Sequence, residues 1–153
     1  MTTILLLNGP NLASLGEREP EVYGTVTLAQ IEDAVHARAA ALGLDVRCEQ
    51  TNHEGVMVDI LESERGRSTG CIVNPGGLTH TSVVLADALR AFDGPVIEVH
   101  LSNILAREPF RRVSFSAEAA VAVISGLGLN GYVLAVEGLA KLLEDRPTTG
   151  STA

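Results

Sequence analysis

Tryptophan is absent from this 153-residue chain, and aromatic residues of any kind make up only 3% of it. Since 46% of the residues are apolar, a core has to be built from Leu, Val, Ile and Ala, the usual filling of an α/β layer structure. Cysteine is nearly missing too. Cys48 and Cys71 lack metal-ligand spacing, which excludes a zinc or disulfide framework and leaves both expected as small core residues. Positive charge is scarce: 11 Lys and Arg stand against 19 Asp and Glu, a formal net charge of −8. The scattered basic residues exclude a nucleic-acid footprint, which needs a basic stripe to neutralise phosphates, while a local anion site stays open. Nothing approaches the ~18 consecutive apolar residues of a membrane span. The opening MTTILLLNGPN enters a strand-like run without a basic leader segment, so the expected location is the cytosol.

What is present reads as one domain, expected over residues 1–145, followed by a tail at 146–153 (RPTTGSTA) that has nothing to bury and is expected to be disordered. Short β-type runs at 4–7, 44–49, 71–73, 96–99 and 119–124 alternate with amphipathic stretches. The first helix is well signalled: Thr27 and Gln30 make a capping box, Leu28, Ile31, Val35 and Leu42 share a face, and Gly43 ends it. Further helices are expected at 54–65, 81–92 and 131–143. This βα alternation predicts a three-layer, single-domain α/β fold with a five-stranded parallel sheet, with flavodoxin-like strand order as one allowed arrangement.

In open parallel sheets ligands bind beyond the carboxyl ends of the strands. Those ends read Asn8-Gly9-Pro10-Asn11, Asn52-His53-Glu54, Asn74-Pro75-Gly76-Gly77 and His100-Leu101-Ser102-Asn103. Each alone is ordinary loop chemistry; together they put four polar endings on one rim. His36 lies on a polar helix face and is expected to be solvated, whereas His53, His80 and His100 fall in or beside the rim, where an imidazole could transfer a proton near neutral pH. A metal site is the rival, weakened by the lack of an HxxxH pair or a carboxylate ligand cluster. The segment 12–24 (LASLGEREPEVYG) is a long polar loop of the kind that serves as a lid. It carries Arg18 and Tyr23. A tyrosine has a pKa of about 10, so use as a base at neutral pH requires a shift of roughly three units, a sign of shift that a nearby arginine supplies. The locally basic stretch Arg107-Glu108-Pro109-Phe110-Arg111-Arg112 suits an anionic or polyhydroxylated ligand, one arginine offering a fixed fork of donors.

Taken together, NGPNL (8–12), GEREPEVYG (16–24), NHEG (52–55), NPGGLTHTS (74–82), EVHLSN (98–103), AREPFR (106–111) and the GLGxxGY turn (126–132) resemble the type II 3-dehydroquinases over nearly the whole chain. The resemblance implies a cofactor-independent trans elimination of water from 3-dehydroquinate through an enolate. In that scheme Tyr23 removes the proton beside the ketone and Arg18 keeps it acidic. His100 protonates the departing hydroxyl, oriented by Glu98, and Asn11 holds the water that stabilises the enolate. Asn74, His80 and Arg111 would hold the ring hydroxyls, and Leu101 and Ser102 the carboxylate. Asp87 matches a position that reaches toward a neighbouring subunit, so the resemblance also implies a homo-oligomer, a dodecamer of trimers. Leu105, Val113, Ala13 and Ser14 depart from common family usage, outside the positions given catalytic roles.

Two alternatives remain at the level of sequence. A flavodoxin-like binding or signalling module would share the fold, but Asn8 and Asn74 stand where a receiver domain needs acidic residues. GxxxxGK[ST] is missing, which removes the P-loop cradle; GLGLNG (126–131) fits GxGxxG in letters but no further β-type run follows it to complete a βαβ unit, and GRSTG (66–70) fits GxSxG but precedes a β-type run instead of following one, as a serine-hydrolase elbow must. An inactive family member acting only as an assembly is the other.

Overall fold

The computed structural model describes residues 2–147. Strands β1 (Thr2–Asn8), β2 (Leu44–Gln50), β3 (Cys71–Asn74), β4 (Val96–His100) and β5 (Ala122–Ser125) form one sheet, every pairing parallel, in the order β2-β1-β3-β4-β5. Helices α1 (Pro20–Tyr23), α2 (Leu28–Ala41), α3 (Glu54–Glu64), α4 (Val83–Ala91) and α5 (Leu129–Glu144) complete the main elements.

The layering follows from period-two alternation along β1. Ile4 and Leu6 join α2 (Ile31, Val35, Ala39) and α5 (Tyr132, Ala135, Val136, Leu139) in one core. Leu5 and Leu7 join α3 (Met57, Leu61) and α4 (Leu85, Leu89) in the other. All four β1 side chains are fully buried, each worth roughly 1.5–3 kcal/mol over exposure. Right-handed crossovers explain which helix covers which face: the chain moves one way from β1 to β2 through α2, and the other way from β2 to β3 and β4 through α3 and α4. Strand order therefore reverses at β1, and the crevice between the ends of β1 and β3 is the topological switch point.

Most expected elements are present, with informative shifts at their ends. The capping box at Thr27 and Gln30 forms on both sides. Helix α4 starts at Val83 because the Ser82 hydroxyl accepts from Leu85 N–H and caps it. Strand β5 starts only at Ala122, since Ser116–Ala119 turns as a 3-10 helix fastened by Ala117 N–H to Ser114 Oγ. The polar segment 12–24 is not one open loop: it holds a 3-10 turn at Leu12–Ser14 and the short α1.

Cys71 is a fully buried core residue, as expected. Cys48 is not: it lies half-buried on the edge strand β2, its thiol 3.4 Å from His36 Nε2. Burial, then the charges of Glu32 and Glu49, push that thiol up to about 12, so it stays protonated. His36 itself is exposed. In the tail, Arg146 donates to the carbonyls of Asp93 and Thr69 at 3.1 and 3.5 Å; positions 148–153 lie outside the described residues. No described helix is long and apolar enough to cross a membrane.

Candidate active site

The loops after β1 and β3 are packed backbone against backbone. A Cβ on Gly9 would sit 2.7 Å from the Pro75 carbonyl oxygen, and one on Gly76, whose φ is +60°, would sit 2.8 Å from that of Pro10. Only glycine permits both the approach and the dihedral. Behind them runs a buried polar chain: Tyr132 Oη donates to Asn8 Oδ1 at 2.7 Å and accepts from Asn74 Nδ2 at 2.8 Å. The Asn74 amide is thereby fixed, its oxygen accepting from Gly76 N–H. Asn11, left-handed at φ 71°, is pinned by its N–H to Asn52 Oδ1.

Above this floor opens a cavity of about 160 Å³, the scale at which a cavity of roughly 150 Å³ accepts one benzene ring. Asn11, Arg18, Tyr23, Asn74, His80, His100, Leu101, Ser102 and Arg111 all line it, so the structure brings together residues drawn from four parts of the chain. Glu98 stands behind the wall, fully buried, and reaches the cavity only through His100. Asp87 stands apart: it is exposed on α4, 3.7 Å from Arg90, and does not line this cavity. His53 is also exposed and outside. Among the described residues, no group of His, Cys, Asp and Glu is arranged to hold a metal.

Two imidazoles face the cavity with defined hydrogen positions. His100 Nε2 lies 2.9 Å from Glu98 Oε2; an ionised carboxylate only accepts, so Nε2 carries the hydrogen and Nδ1 is left for a ligand. His80 Nδ1 lies 2.7 Å from the Val113 carbonyl, which by the same logic leaves Nε2. Burial pushes the Glu98 carboxyl up, but hydrogen bonds from His100 and Ser116, the charge of His100 and a hydrogen bond from Ser114 outweigh it and hold the group below the usual carboxylate range. Glu98 is therefore an anion at neutral pH.

The phenol is held from a side the sequence did not single out. Arg107 Nη1 donates to Tyr23 Oη at 3.0 Å and to Ser102 Oγ at 3.2 Å. Arg18 lies farther, its Cζ 5.9 Å from the ring centroid against 5.2 Å for Arg107. Arg107 bears directly on the oxygen where negative charge would develop, while Arg18 stands over the ring. Arg111 is steered by Glu108, which accepts from its Nε at 2.7 Å and is held below the usual carboxylate range chiefly by that bond. Arg107 could be read only as part of a basic patch, because its partner is distant in sequence.

Residues 2–140 match the family model described as Dehydroquinase class II. The chain belongs to this dehydroquinase family. Among its relatives, the 3-dehydroquinate dehydratase of Corynebacterium glutamicum (strain R) is 54% identical, the match covering 91% of this chain and 96% of the relative. The 3-dehydroquinate dehydratase 2 of Pseudomonas putida is 52% identical, over 94% of this chain and 96% of its own. A crystal structure of the type II dehydroquinase from Propionibacterium acnes superposes with a TM-score of 0.88 at 42% identity, covering 92% of this chain and 97% of that one. The dehydroquinase fold and the five-stranded parallel sheet thus agree, and the flavodoxin-like strand order allowed by the sequence is the one present.

Proposed function

We propose that this chain is a 3-dehydroquinate dehydratase, a hydro-lyase of the shikimate pathway that eliminates water from 3-dehydroquinate to give 3-dehydroshikimate. The observation that carries the reading is a one-ring cavity with a phenol that accepts from Arg107 and has Arg18 over its ring on one side, and a carboxylate-backed imidazole on the other, in a chain that keeps 50–55% identity to dehydratases over most of its length.

In this mechanism Tyr23, as phenolate, takes the proton from the carbon beside the ketone, and the electron pair becomes an enolate. Arg18 and Arg107 supply the opposing charge. The enolate collapses with loss of the β-hydroxyl, which takes a proton from His100 and leaves as water, while Glu98 balances the imidazolium. Each positioned proton transfer contributes about 10²–10⁴ in rate. Asn11 would hold a water at the enolate oxygen. Asn74, His80 Nε2 and Arg111 would hold the ring hydroxyls, with Leu101 and Ser102 at the carboxylate.

A homo-oligomer, a dodecamer built from trimers, is part of the proposal, with Asp87 of one subunit completing a neighbour's site. Exposed Val83 and Val84 beside Asp87, and Val121, Val123 and Leu127 around the edge strand β5, supply apolar surface for such contacts. A cytosolic location fits two free cysteines. The test is to treat the protein with a chelator, add 3-dehydroquinate and follow the ultraviolet absorbance of the conjugated enone, with Tyr23→Phe as control and light scattering for mass. Metal-independent product that disappears in the control supports enzyme and base together. A folded oligomer without product would return the choice to an inactive assembly.

A further inference from the structure

A four-residue segment outside the cavity touches the support of both cavity histidines. The Val113 carbonyl receives His80 Nδ1, and Phe115 N–H donates to the Thr79 carbonyl at 2.9 Å. Between them Ser114 Oγ donates to Glu98 Oε2 at 3.1 Å, and Ser116 Oγ donates to Glu98 Oε1. Neither serine lines the cavity. Ser116 is 1% exposed and Glu98 0%, so bulk water does not reach the contact that Ser116 makes.

A buried carboxylate has two oxygens to satisfy, and one imidazole satisfies only one. Here Oε2 takes His100 and Ser114, while Oε1 takes Ser116. The Ser114 oxygen also accepts Ala117 N–H at 3.0 Å, which aims its hydrogen away from that amide and toward the carboxylate. We propose that Ser114 and Ser116 are positioning residues of the reaction: their hydroxyls fix the Glu98 carboxylate, and the carboxylate in turn fixes the His100 imidazole. This rests on the reading of His100 as the group that protonates the leaving hydroxyl.

Two consequences separate this role from ordinary packing. Substrate contacts stay in place when a serine hydroxyl is lost, so the effect falls on kcat rather than KM. The acid limb of the kcat profile also moves. His100 is the hydrogen-bond partner of Glu98; the other titratable and charged groups facing His100 across the cavity are Arg18 and Tyr23 from the 16–24 segment, His80 from Gly76–His80, and Arg107 and Arg111 from the segment after β4. None of them replaces a donor on Glu98, so without Ser116 the carboxylate protonates at higher pH.

The experiment measures kcat and KM for 3-dehydroquinate across pH in the intact oligomer for Ser116→Ala, Ser114→Ala and Ser114→Thr. Expected are kcat about 10-fold lower in each alanine variant with KM within about two-fold, since small misplacements of a catalytic group act on rate. The acid limb of Ser116→Ala should rise by about one pH unit, and Ser114→Thr should stay within about two-fold of the parent because it restores the donor. Unchanged kcat, or a loss equal at every pH with KM altered alongside, overturns the proposal. If Ser116→Ala does not fold, the half-buried Ser114 pair carries the same test. If the parent itself does not turn over, the functional reading fails by itself. The positioning is then read from the His100 Nε2–H signal by nitrogen NMR, assigned with His100→Gln: a signal unmoved in the alanine variants overturns it.

Discussion

Tyr23 Oη accepts a 3.0 Å hydrogen bond from Nη1 of Arg107, a residue 84 positions downstream. The bond joins the segment between β1 and α2 to the segment that follows β4, and the same guanidinium nitrogen also reaches Ser102. Replacing Arg107 with alanine therefore removes charge and tether together. We expect kcat with 3-dehydroquinate to fall by about 10²-fold or more, and Arg107→Lys to recover only part of it, since an ammonium lacks the planar fork that meets two oxygens. Steady-state kinetics of both variants checks this; equal recovery by lysine would mean that charge alone matters.

Tyr132 contributes no atom to the cavity but anchors Asn8 and Asn74. Its fully buried hydroxyl keeps its proton, burial pushing it well above the usual tyrosine range. Tyr132→Phe leaves buried amides without their partner, at a cost of about 1–3 kcal/mol. Denaturant unfolding should register that loss. KM should rise because Asn74 is no longer held, and in an Asn74→Ala background the same change should leave KM nearly unaltered.

Glu98 sets a pH dependence of stability whose sign can be worked out. Its carboxyl lies below its ordinary value of 4.5 in the folded protein, so the unfolded chain binds the proton more readily. The resulting stability is fully present above 4.5 and is lost as pH falls through the folded value. Thermal melts from pH 7 downward should show the parent losing stability in that window, with Glu98→Gln flatter there. A parallel decline in both would assign the acid sensitivity to other carboxyls.

Gly76→Ala should be among the most damaging single-methyl additions. The position combines a left-handed φ of +60° with a carbonyl 2.8 Å from the new Cβ, and strain of this kind costs of order 1–3 kcal/mol. Lower melting temperature with raised KM is expected, because the two loops that form the floor must part. Gly55→Ala, with open space around its Cβ and no place in the cavity lining, is the control.

The strands were legible because a β1 run buried on both faces and the polar tetrads that end β1, β3 and β4 are local signals. So were the cavity residues at strand ends, Asn74 and His100 closing β3 and β4 and Leu101 and Ser102 following directly, whereas Asn11, Arg18, Tyr23, His80 and Arg111 lie farther along the loops. What escaped was contact at long sequence separation or backbone detail. Arg107 and the tyrosine it holds are far apart along the chain, and nothing local distinguishes Arg107 from its neighbours Arg111 and Arg112. Ser114 and Ser116 look like loop serines until Glu98 is found beneath them. The late start of β5 has the same origin, since the Ser114 hydroxyl that serves the carboxylate also nucleates the turn delaying the strand. Cys48 was misjudged because β2 is an edge strand that alternates apolar and charged residues, so its inward side chains are covered on fewer sides than those of a central strand.

The parallel ladder across β1, β3 and β4 pairs Asn8 with Asn74 and Val73 with Glu98, so the three strand ends finish nearly level. Neighbouring strands are spaced about 4.8 Å apart, and the lateral separations of the groups mounted on those ends are multiples of that spacing. The sheet thus acts as a ruler whose graduations are main-chain hydrogen bonds. Loop substitutions can retune what the graduations carry, but the footprint offered to a ring is inherited from the backbone.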